Sequence, residues 1–115
     1  MEEFGIYIHI PFCKSKCYYC DFVSFSNKEP IWQKYILALK EEIKYSSEQI
    51  KDKRITTIYI GGGTPSIIDG KYIIQIIEEI KNNYNVSEKC EITIEINPGT
   101  VTREKLMDYK KAGIN

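Results

Sequence analysis

At 115 residues, with equal numbers of acidic and basic side chains, the chain has room for one small domain and carries no net charge with which to attract a polyanion. Its composition, 43% hydrophobic and 28% charged, is that of a globular protein, and no stretch approaches the ~20 apolar residues that span a bilayer. The start, MEEFGIYIHI, is acidic and then strand-like and lacks the basic and long apolar regions of a secretion signal, so a nucleic-acid binder, a membrane-spanning protein and a secreted one are all disfavoured and a cytoplasmic location is expected.

Taken in chain order, FGIYIHI over 4–10 predicts a buried strand from its short run of β-branched and aromatic residues. A cysteine-bearing loop runs on to about residue 30, where Pro30 suits the start of a helix. Trp32, Tyr35, Ile36, Leu39 and Ile43 then recur at helical spacing over 31–45. ITTIYI over 55–60 predicts a second strand, stopped by Gly61, Gly62 and Gly63. Ile73, Ile76, Ile77 and Ile80 mark one face of a helix over 69–84. EITIEI over 91–96 is the third expected strand, ended by Asn97-Pro98-Gly99, and a short helix over 102–112 stops at Gly113.

Strand and helix alternate three times, which implies an α/β fold of parallel strands joined by right-handed crossovers. Three such units leave an unpaired sheet edge, and the sequence ends where a fourth strand is due. Residues 1–115 are therefore expected to be the N-terminal portion of a larger α/β barrel, with a self-sufficient α/β mini-domain as the alternative. In either case ligands collect at the carboxyl ends of the strands. The three most unusual stretches, the cysteine loop, GGGTPS and the NPG turn, all fall there.

Three of the four cysteines, Cys13, Cys17 and Cys20, stand at C-x3-C-x2-C within PFCKSKCYYCDF. In a reducing compartment such a cluster points to a metal or a catalytic role rather than to disulfides. Sulfur ligands favour zinc or an iron–sulfur cluster. Structural zinc asks for four protein ligands; Cys90, at the far end of the third strand, is badly placed as the fourth, and His9 lies within a strand. Three thiolates suit a cubane cluster that leaves one iron open to chemistry, and the spacing is not that of a ferredoxin.

C-x3-C-x2-C with an aromatic before the last cysteine resembles the radical S-adenosylmethionine (SAM) superfamily. YIHIPFC, CDF, GGGTPS and IEINPG together are similar to the oxygen-independent coproporphyrinogen III oxidase family, and most to its heme-chaperone branch, HemW. The oxidases of that family commonly carry a further cysteine two residues after the last cluster ligand; here Phe22 stands in its place. The resemblance implies a radical SAM barrel and a [4Fe–4S] cluster on Cys13, Cys17 and Cys20, with SAM chelated at the open iron and cleaved by an electron to a 5′-deoxyadenosyl radical. It implies a heme chaperone with a heme-acceptor partner, or alternatively an oxidase that decarboxylates a porphyrinogen. The heme- and substrate-handling regions of such proteins lie beyond residue 115, so the piece alone is expected to be inactive.

The same resemblance assigns SAM contacts. Gly62, Gly63 and Thr64 match the family's GGTP motif, where glycines allow close backbone approach and a nest of amides could grip a polar group. Glu95 matches its IEINP glutamate; read by itself, it is a carboxylate in need of a structural partner. Tyr7 is a further implied SAM contact, and Tyr19 would shield the cluster and stack on adenine. His9 shares Tyr7's face with no assigned role, and Cys90 reads as core packing. The isoleucine-rich helices read as core, and KDKR over 51–54 as solvated loop charge.

Overall fold

Residues 2–12 and 29–115 are described by the structure, a computed structural model. The alternating strand pattern sorts side chains to two faces, and the isoleucines all choose the same one. Among the described residues the elements are β1 (Glu3–Ile10), α1 (Glu29–Ser47), β2 (Arg54–Gly62), α2 (Gly70–Asn83), β3 (Asn85–Ile94) and α3 (Arg103–Ala112), with a 3-10 turn at Pro65–Ile67 after β2. The three strands form one parallel sheet in the order β1-β2-β3. The α/β class and the parallel strands expected from the sequence are present.

Ile8, Ile10, Ile58, Ile60 and Ile92 face a core that the helices close with Ile36, Ile43, Ile73, Ile76, Ile77 and Ile80. Ile73, Ile76, Ile77 and Ile80 on α2 are each at most 1% exposed, and burial of each such side chain stabilises the fold by about 1.5–3 kcal/mol. The opposite face, with Gly5, Tyr7, His9, Thr57, Tyr59 and Glu91, is exposed among the described residues. Among the described residues the apolar covering is on one side. No helix among the described residues is long and apolar enough to cross a membrane.

Two local features depart from the regular pattern. Phe4 pairs with Ile55 but Gly5 with Thr57, so Thr56 is an extra residue in β2. That bulge explains how Ile55 and Ile58, at an odd spacing, both reach the core. β3 begins at Asn85, earlier than the 91–96 expected, because NVSEKC has no apolar alternation to announce a strand. Its pairing jumps from Val86 to Glu91 against Ile55 and Thr57, leaving 87–90 out of register. β3 ends at Ile94, yet Glu95 still donates its N–H to Ile60 O at 2.9 Å, so the ladder continues for one bond.

Both ends of α3 carry standard caps. Thr102 accepts from Lys105 N at 3.1 Å at the start of α3, and Gly113 closes it in the left-handed region with φ of 100°. Beyond it Asn115 N donates to Ile92 O and Ile92 N to Asn115 Oδ1, both at 3.0 Å, so residue 115 lies against the outer edge of β3.

Candidate functional site

The carboxyl ends of β1 and β2 are tied by backbone bonds. Gly63 N donates to Ile10 O at 2.9 Å and Thr64 N to Phe12 O at 2.6 Å. The cysteine segment thus leaves the sheet from a fixed point. Phe12, 1% exposed, packs edge-on to Tyr35 at 5.5 Å and tilted to Trp32 at 6.4 Å, both on α1, the helix that follows the segment. The Tyr35 hydroxyl also donates to His9 O; burial, with Glu42 and Tyr7 adding, pushes this phenol's pKa up. Cys13, Cys17, Tyr19, Cys20 and Phe22 themselves lie outside the described residues.

The glycine loop is shaped by close approach. Gly62 has φ of +121°, and a Cβ there would sit 2.7 Å from Ile10 O and 3.0 Å from the His9 ring. A Cβ on Gly61 would sit 2.8 Å from Glu95 Oε1. Any side chain at Gly61 would push that carboxylate from its place. Glu95 is exposed but not unpartnered: Gly62 N donates to Oε1 at 3.0 Å and the Tyr59 hydroxyl to Oε2 at 2.8 Å. That hydrogen bond, more than partial burial, pushes the Tyr59 phenol pKa up.

The amides of Gly62, Gly63 and Thr64 all donate within the protein, so the loop is not the open amide nest its glycines suggest. What remains for a ligand here includes the unused lone pairs of Glu95 and the Thr64 hydroxyl, which caps no helix and can accept or donate. Such a site suits a ligand that brings hydrogen-bond donors or positive charge.

The third loop is locked to the second. Buried Ser66 accepts from Asn97 N at 3.0 Å and hydrogen-bonds the Thr100 hydroxyl. Asn97 in turn builds the NPG turn, its Oδ1 accepting from Gly99 N at 2.8 Å. Lys105 Nζ spans both loops, donating to Ser66 O at 2.6 Å, Thr100 O at 3.0 Å and Ile67 O at 3.3 Å. Burial pushes its pKa down, with Asp69 opposing. Between the two loops, residues 62–65 and 95–98 line an open cleft of about 560 Å³.

Tyr7, 58% exposed, lies on the uncovered sheet face and stacks on Tyr59 at 5.8 Å and 13°. His9 is exposed beside it, its Nδ1 3.5 Å from the Tyr7 hydroxyl, and is not the packed core histidine that a strand position suggests. Tyr59 is the residue that sequence reading missed: alternation alone places it on the face of Tyr7 and Glu95. Among the described residues no group of three or more His, Cys, Asp and Glu side chains is gathered to hold a metal. Cys90 is buried in the core, and burial pushes its thiol pKa up. A cleft of similar volume, about 530 Å³, opens at the far end of the sheet beside Tyr84, Cys90 and Asn115.

Residues 7–115 match the radical SAM superfamily. The chain belongs to it. Among its radical SAM relatives, the heme chaperone HemW of Buchnera aphidicola subsp. Schizaphis graminum is 46% identical over 100% of this chain. HemW of Escherichia coli K12 is 36% identical over the same share. The chain spans 31% of the length of each of these relatives. The radical S-adenosyl methionine domain-containing protein 1, mitochondrial, of Danio rerio is 31% identical over 98% of this chain. Among solved structures, coproporphyrinogen III oxidase (HemN) from Escherichia coli, described as a radical SAM enzyme, superposes with a TM-score of 0.88 at 25% identity, covering 99% of this chain and 26% of that one. The expected superfamily and its HemW and HemN relatives are thus found.

Proposed function

We propose that residues 1–115 are the N-terminal portion of a radical SAM core, that Cys13, Cys17 and Cys20 hold a [4Fe–4S] cluster, and that Tyr7, Tyr19, Gly62, Gly63, Thr64 and Glu95 bind SAM. When bound, the cluster supplies an electron and an open iron position. The parent protein acts as a cytoplasmic heme chaperone, taking heme and delivering it to an acceptor protein. The observation that carries the reading is the acceptor-lined cleft between the GGGTP and INP stretches, tied through Thr64 N to the residue preceding the cysteines. SAM brings an ammonium and a sulfonium, the kind of group that such acceptors favour. Glu95 would orient the ligand, the Gly61-Gly62 stretch would let it approach the backbone, and Tyr7 would cover it from the sheet face.

The chaperone reading is supported by 46% identity to a HemW and by Phe22 at the position of the oxidases' extra cysteine. The 0.88 TM-score to HemN keeps a second reading in play, oxidative decarboxylation of coproporphyrinogen III to protoporphyrinogen IX. Anaerobic iron–sulfide reconstitution of the full-length protein, followed by parallel assays, tests both. Iron bound at about four per chain, loss of that iron in Cys17→Ala, and transfer of bound heme to an apo-hemoprotein without porphyrinogen turnover are expected. Turnover with SAM would replace the chaperone by the oxidase, and a single tightly held zinc in place of iron would overturn both.

A further inference from the structure

Glu95 stands just past the end of β3, where an exposed carboxylate has several rotamers open to it, yet each of its oxygens has a separate anchor. Gly62 N–H holds Oε1 at 3.0 Å and the Tyr59 hydroxyl holds Oε2 at 2.8 Å. Two bonds to two oxygens fix the plane of the carboxylate, which rests over the space left by the missing Cβ of Gly61. The Tyr59 ring is itself steadied by its near-parallel stack on Tyr7, 5.8 Å away at 13°. A continuous chain therefore runs across three strands, from Tyr7 on β1 through Tyr59 on β2 to Glu95 beyond β3. No motif in the sequence contains Tyr59.

We propose that Tyr59 is a positioning residue that holds the Glu95 carboxylate in the orientation needed to receive the donor groups of the ligand. The proposal rests on the reading above that Glu95 contacts SAM. A carboxylate offers about four lone-pair sites; with two committed to protein donors, the others stay open for a ligand ammonium or hydroxyl. Tyr59 acts through Glu95 and not by its own contact, because its hydroxyl proton is given to Oε2.

Tyr59→Phe is a clean probe, since it keeps the ring, the stack on Tyr7 and the strand, and removes one hydroxyl. In the full-length, cluster-loaded protein, equilibrium dialysis with radiolabelled SAM should give an affinity about 3- to 10-fold weaker, with iron content, visible spectrum and melting temperature unchanged. In a Glu95→Ala background, Tyr59→Phe should bring no further loss, the non-additivity of residues acting as one unit. Undiminished SAM affinity in Tyr59→Phe, beside weakened affinity in Glu95→Ala, overturns the positioning role and leaves Glu95 as a contact. A Tyr59→Phe effect that persists in the Glu95→Ala background also overturns it, by making Tyr59 a direct contact. If wild type binds SAM and Glu95→Ala binds it equally well, the assignment of Glu95 fails first and the proposal with it.

Discussion

Tyr109 is 3% exposed on the inner side of α3, and its hydroxyl has no hydrogen-bond partner among the described residues. Burial, with Asp108 adding, pushes its pKa from 10.0 up to about 12. The folded chain therefore holds this proton more tightly than the unfolded chain, which releases it first as the solution becomes alkaline. Stability is unaffected by this group below about pH 10 and falls between about pH 10 and 12, by roughly 2–3 kcal/mol in all. Urea unfolding of the cluster-free protein across that range should show Tyr109→Phe losing less stability than wild type. At neutral pH the substitution should be neutral or stabilising by about 1 kcal/mol, because it removes a buried polar group that lacks a partner. Equal pH slopes in the two proteins would contradict the assignment. The same residue scale shows where sequence reading stops. The IEINP pattern singles out Glu95 and strand alternation gives its face, but its two anchors, Gly62 N–H and Tyr59, depend on inter-strand register that no local pattern encodes.

Among the elements, the loops after β2 and β3 are coupled more tightly than their sequences suggest. Lys105 sits on the first turn of α3 and places its ammonium on three carbonyls from both loops, while Ser66 accepts from Asn97 N below them. Lys105→Met leaves those carbonyls without their shared donor. It should lower stability by about 2 kcal/mol, read as a shift in urea midpoint at neutral pH, and loosen the cleft between residues 62–65 and 95–98. A midpoint unchanged from wild type would show that water replaces the ammonium at no cost. The helices were legible because Ile73, Ile76, Ile77 and Ile80 of α2 recur at helical spacing and are buried. The start of β3 was not, because Asn85, Ser87, Glu88 and Lys89 carry no period-2 signal, and only Asn85 and Val86 pair with β2 before the register jumps to Glu91. The Thr56 bulge is likewise set by the neighbouring strand's register.

For the whole molecule, the asymmetry of the sheet links fold to function. One face is sealed by three helices; the other presents Tyr7, His9, Tyr59 and Glu95, a row of polar and aromatic groups that the proposed barrel would place on its inner wall. The central proposal is that the three clustered thiols leave one iron of a cubane open and that SAM takes that position. Its most direct test is electron paramagnetic resonance of the reduced, iron-loaded, full-length protein, recorded with and without SAM. A reduced-cluster signal whose g-values shift when SAM is added is expected; a signal that SAM leaves untouched would overturn the open-iron proposal.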